Sequence, residues 1–146
     1  MMNEGVNDMT TFDFGSGPVP AHQHPNGGGW VADTATVSET AYVGPDAKVY
    51  DNAKVFDNAK VFDNAWVSGN AVVSDNARVS GDAVVTGNAK VFYDAWVYGD
   101  AMVSGNVRVS GNAWVFDDAV VSGNARVSGN ARVSGDAVVT DELIIK

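Results

Sequence analysis

GNARVSGNARVSGDAVV, residues 123–139, repeats every six positions, and that period decides the fold. Six residues cannot hold one face of a 3.6-residue helix in register, whereas a short strand followed by a corner fits the period. Outward from this stretch, valine recurs at every sixth position back to Val31 and on to Val139, and Ile145 continues the register. An alanine stands two residues before each valine from Ala35 to Ala137, except at Val107. Between these pairs fall Asp-Asn, Gly-Asn or Gly-Asp, as at Asp57-Asn58, Gly69-Asn70 and Gly81-Asp82. These residue types tolerate positive φ in tight corners. Strands this short cannot bury a face alone, so they must stack as parallel rungs around a shared interior.

The unbroken run of an aliphatic residue followed by small or turn residues resembles the hexapeptide-repeat family over residues 31–146. The resemblance implies an all-β, left-handed parallel β-helix, a triangular prism in which three hexapeptides make one coil, with six to seven coils here. Residues 1–30 break the repeat and are expected to form an N-terminal cap. An open first coil would expose core and unpaired strand edge, so Phe12 and Phe14 are expected to plug it. The run Gly27-Gly28-Gly29 reads as a flexible passage into the first coil. The other end offers only Glu142, Leu143, Ile144, Ile145 and Lys146 as cover, which permits end-to-end association.

The chain has 146 residues, a formal charge of −9 and no cysteine. That excludes disulfides and thiolate chemistry. No apolar run approaches the roughly 20 residues of a membrane span, and Met1 to Met9 lack the basic and apolar regions of a signal peptide, so a cytoplasmic protein is expected. The acidic balance argues against duplex nucleic acid, whose binding needs a cationic surface.

Sorting the residues beside each valine modulo eighteen separates three outer faces. The first carries Trp66, Val84, Met102, Val120 and Val138 before the valine, with serine and threonine after it, and no charge from Trp66 onward. An apolar stripe of that length marks an interface, and it is expected to join a homotrimer. The second face is the most cationic, with Lys54, Lys90, Arg108 and Arg126. The third gathers Trp96, Tyr98, Trp114 and Phe116 over two coils, with Arg78 one coil before and Arg132 one coil after. Aromatic faces beside guanidinium groups suit a planar anionic ligand. Every Lys and Arg except Lys146 precedes an inward valine, while nearly all acids from Asp33 onward fall at corners. The same pattern also keeps parallel ladders soluble and discourages edge pairing.

His22 and His24 are the only histidines. On an extended strand they would share one side, which raises a metal site only if symmetric copies complete the ligand set. A role in cap packing or ligand contact is the stronger expectation, and neither metal nor cofactor is assigned. Hexapeptide-repeat acyltransferases use a histidine base on the helix or a loop projecting from it. This chain has no histidine from Val31 to Lys146 and no insertion, so an acyltransferase stands as the alternative to a non-catalytic binding protein. The cap followed by near-perfect repeats resembles small proteins of bacteriophages and bacterial mobile elements. That resemblance implies a phage protein that sequesters a nucleotide-like host defence signal or blocks a defence protein, acting in the host cytoplasm. A virion component or a polymer-forming scaffold of the bactofilin type is the structural alternative.

Overall fold

The computed structural model describes residues 10–141 and 143–145. Met1 to Met9, read above for a signal peptide, and Glu142 and Lys146 lie outside them. The chain is a parallel β-solenoid of about six turns with strands mostly two residues long. Partners lie eighteen residues apart, as in Trp66 to Val84 to Met102 and Trp96 to Trp114 to Arg132. The strands form three sheets of nine, seven and six members, which are the three faces expected from the sequence. Among the described residues no helix is long and apolar enough to cross a membrane.

The interior follows the hexapeptide directly. From Val43 to Val127 every sixth residue is fully buried, and the alanines between them are buried with them. Val107, which replaces an alanine, is also fully buried. Side chains alternate across a strand, so valine and the alanine two places before it point inward and their neighbours outward. Each outward-flanking amide donates to the next coil, as Trp96 N–H does to the Ala113 carbonyl at 3.0 Å and Tyr98 N–H to Val115 at 2.9 Å.

Corners close with an amide reaching back three residues, for example Ala59 N–H to the Phe56 carbonyl at 3.3 Å. From Asp51 to Gly135 the first corner residue has φ between 57° and 72°, and it is either Gly or Asp with the single exception of Tyr93 at φ 58°. Aspartate earns its place there through its side chain. The carboxylates of Asp57, Asp63, Asp75 and Asp117 accept the backbone N–H of the residue eighteen positions on, at 3.0 to 3.3 Å. A charge-assisted bond of this kind offsets part of the cost of a left-handed conformation.

The cap departs from the expected plug. Strands β1 (Thr11–Asp13) and β2 (Pro18–Gln23) form an antiparallel hairpin that extends the first face, with β2 pairing antiparallel to β3 (Trp30–Ala32). Phe12 stacks on Trp30 with centroids 4.8 Å apart, and Phe14 on Tyr50 at 4.9 Å. Both rings therefore lie on the outer surface of the sheet over Ala21 and Ala32, in a cluster separate from the valine interior. Alternation explains the difference, because Phe12 is in register with Val19, on the same side of the sheet as Ala21 and Ala32.

The glycine run is a tight fit rather than a flexible passage. Gly29 N–H donates to the Val43 carbonyl at 2.9 Å and Val43 N–H to Asn26 at 3.0 Å, so this segment straps the open edge of the third face. A Cβ on Gly27 would stand 2.1 Å from the Val43 oxygen, and one on Gly29 2.2 Å from the Gly44 oxygen. At the other end Ile145 does not continue the valine register. The last strand pairs Leu143 with Val127 and Ile145 with Gly129, a two-residue slip that sets a strand across the end of the second face.

Candidate functional site

The third face assembles the six aromatic and arginine residues singled out from the sequence. Trp96 and Trp114 occupy adjacent rungs, with Arg78 on the rung before and Arg132 on the rung after. Trp96 meets Trp114 edge-on at 5.8 Å and lies 4.6 Å from Tyr98. Tyr98 stacks on Phe116 at 5.0 Å with the rings nearly parallel. The Arg78 guanidinium lies 5.4 Å over Trp96, and Arg132 lies 4.1 Å over Trp114. The indole N–H of Trp96 donates to the buried Ser80 hydroxyl at 2.9 Å, which fixes the ring plane.

Electrostatically the panel is open. Among the described residues the one ion pair joins His22 to Asp33, so neither Arg78 nor Arg132 has a carboxylate partner. Arg132 spends one N–H on the Asn130 carbonyl at 3.2 Å. Desolvation and the Asp117 carboxylate hold the Tyr98 hydroxyl above its usual range, against an opposing pull from Arg132. Tyr98 therefore stays a neutral donor at physiological pH. Concave ground lies along the corner of Asp57, Asp75, Tyr93 and Asp94, beside the cap at Phe14, Val19 and Tyr50, and at Tyr42, Lys60 and Phe62 on the same face as the panel.

The two histidines do not join this panel. His22 Nδ1–H donates to the Asp33 carboxylate at 2.7 Å on the exposed side of the cap. His24 is buried, and since a carbonyl only accepts, its Nε2–H donates to Ala41 at 2.8 Å. The strand ends at Gln23 and the turn begins at Pro25, and the two rings go to separate partners, Asp33 and Ala41. Both act in holding the cap. Among the described residues no three His, Asp or Glu side chains gather as a metal site.

On the first face, Trp66, Val84, Met102, Val120 and Val138 form one column, with Met102 52% and Val138 67% exposed. Upstream of it, Lys48 sits 5.5 Å from the Trp66 ring and 5.9 Å from Phe12, which closes the column against the cap.

Two features escaped the sequence. Tyr93 holds a left-handed corner where an aromatic residue is strained, a fact visible only once the corner position is known. The second is a carboxylate ladder at the corner between the third and first faces. Partial desolvation and the flanking charges of Asp82 and Asp118 hold the Asp100 carboxyl above the usual aspartate range. The shift favours the protonated acid in the folded state. Stability is therefore reduced while Asp100 is ionised, and it recovers as pH falls through the raised folded value toward the unfolded one. Asp100→Asn should accordingly raise the melting temperature at pH 7 and lose that advantage in acid. Thermal melts at pH 7 and pH 4 at low salt would show it, and an equal gain at both would assign the effect to something other than charge.

Four segments, residues 73–87, 95–111, 107–123 and 125–141, match the YdcK beta solenoid repeat, together less than half of the chain. They include all six residues of the face-three panel, and the match agrees with a repeat β-solenoid. No protein of curated function and no solved structure matches the chain.

Proposed function

We propose that this solenoid is a non-catalytic binding protein that holds a planar, anionic, nucleotide-type ligand on its third face. One observation carries the reading: two arginines with no carboxylate partner among the described residues bracket four contiguous aromatic rings on a rigid sheet. Arg78 and Arg132 are three rungs apart, about 14 Å at the spacing of paired strands. That is the span of a nucleotide with its phosphates, with the base against the rings and the anion on a guanidinium. The rings are already packed on one another and the backbone beneath is fixed by interrung bonds, so binding costs little ordering. Sequestration of a signalling nucleotide, as the resemblance to small phage proteins implies, is the use that fits a binding face of this type.

The test is a titration of the full chain with AMP, GMP, ADP and a cyclic dinucleotide, followed by tryptophan fluorescence and calorimetry. At least one should quench Trp96 and Trp114. The pair Trp96→Ala with Arg132→Ala should weaken that ligand at least tenfold with the circular dichroism unchanged, since each lost stacking or charged contact is worth about 1–3 kcal/mol. No response to any of the four, or undiminished binding by the double variant, would remove the panel from the function.

A further inference from the structure

We propose that the first face packs flush against the first face of a second copy, with the two solenoids side by side and parallel, as a twofold dimer. The large column is exposed or half-buried from Trp66 to Val138, Ser68 alone of the small column is buried, and neither column carries charge there. Its relief is asymmetric. One column is large, with Trp66, Val84, Met102, Val120 and Val138, and the column beside it is small, with Ser68, Thr86, Ser104, Ser122 and Thr140. A twofold axis parallel to the solenoid exchanges left and right at constant height, so Met102 meets Ser104 of the second copy and Val120 meets Ser122. Large side chains then fill the trough above small ones. An antiparallel pair would set the large columns on each other and leave the small ones facing a gap.

The two edges of the face agree with that choice independently. One edge bears the carboxylates Asp82, Asp100, Asp118 and Asp136, and the other bears Asn88, Asn106 and Asn124 at the heights of the first three. The amides already form a ladder with Asn70, each donating one N–H to the next at 3.2 to 3.3 Å. Each amide nitrogen has a second N–H outside the ladder. The parallel twofold places Asp100 against Asn106 of the second copy and Asp118 against Asn124, so stacked carboxylates that repel one another gain facing donors. An antiparallel pair would place acid against acid.

Five rungs at about 4.8 Å by a face roughly 17 Å wide give on the order of 400 Å2 per copy before side-chain relief. Two such surfaces approach the roughly 1,000 Å2 of a specific interface. A face that pairs with itself closes with two copies, in place of the homotrimer expected from the apolar stripe.

Sedimentation velocity and native mass spectrometry of the full chain should give a dimer, twice the 15.2 kDa of the chain. Met102→Glu with Val120→Glu should yield monomer. The milder Asn106→Asp with Asn124→Asp, which sets acid opposite acid and leaves the apolar column intact, should weaken the dimer at least tenfold. Because the chain has no cysteine, a spin label on Thr34→Cys reads orientation. A parallel pair gives a label separation of roughly 20 Å, while an antiparallel pair centred on Met102 gives roughly 40 Å. A monomer, a trimer or the longer distance in the otherwise native chain would overturn the proposal. Ligand binding on the third face is read separately, so either proposal can fail without the other.

Discussion

Val97→Asp should abolish folding at pH 7, and Val97→Thr should lower the unfolding free energy by about 1–3 kcal/mol. Val97 is fully buried between Val79 and Val115 of the neighbouring rungs. The interior around it is made of valine and alanine side chains, so no group there donates to a carboxylate. A hydroxyl without a partner in such surroundings costs about 1–3 kcal/mol and an ionised acid several times more. That sum is comparable with the whole stability of a domain, about 5–15 kcal/mol. Denaturant titrations followed by circular dichroism would measure both variants. Val84→Asp, one residue from an inward valine but outward-facing, should leave the fold intact in the same titration. A folded Val97→Asp protein with an ordinary carboxyl titration would mean that water reaches the interior.

Gly29→Val should lift the cap strap from the third face at a cost of about 2–4 kcal/mol. Its new Cβ would stand 2.2 Å from the Gly44 oxygen and 2.4 Å from a Val43 methyl, so backbone must move. The movement removes the bond from Gly29 N–H to Val43 and strains those of Val43 N–H to Asn26 and His24 Nε2–H to Ala41. Each buried group left without a partner costs about 1–3 kcal/mol. Hydrogen exchange at Val43 and limited proteolysis across residues 24–30 should both accelerate, while amides beyond Trp66 keep their protection. Gly28→Ala is the control. Nothing lies within 4 Å of a Cβ there, and only the left-handed φ of 85° opposes the change, so its cost should stay at about 1–2 kcal/mol. Equal effects of the two would show that backbone conformation, not close approach, governs the strap.

The solenoid and its three faces were legible because one constraint repeats. The valine at each sixth position has a single inward place, and the residues beside it have no choice but to face out. The panel from Arg78 to Arg132 followed from the same arithmetic, since rungs eighteen residues apart must stack. Where the repeat stops, the arithmetic stops with it. An open end needs cover, which predicts Phe12 and Phe14 as a plug, yet strand alternation in a hairpin places them outside. Gly27 and Gly29 carry no signal in composition that separates a loose loop from a backbone pressed against Val43. Ile145 kept the spacing of the valines, but pairing there obeys hydrogen bonds and not spacing, and Leu143 takes the place opposite Val127. Tyr93 and the Asp100 ladder depend on corner geometry, which the sequence supplies only after the fold is known.

The uniformity of the interior has a consequence for how such a chain changes length. Every hexapeptide but the one with Val107 offers the same alanine and valine to the inside, so the core hardly distinguishes one from another. A duplication or loss of eighteen residues lengthens or shortens the stack and leaves everything downstream in phase. A duplication or loss of six is equally silent to the core, yet it rotates every later outer residue by one side of the triangle. Such a slip after Val79 would carry Trp96 and Trp114 away from Arg78's side while the protein still folded. The surface is thus written in a three-letter phase that the interior never reads. Selection on what the faces touch, and not on stability, is what must hold that phase in place.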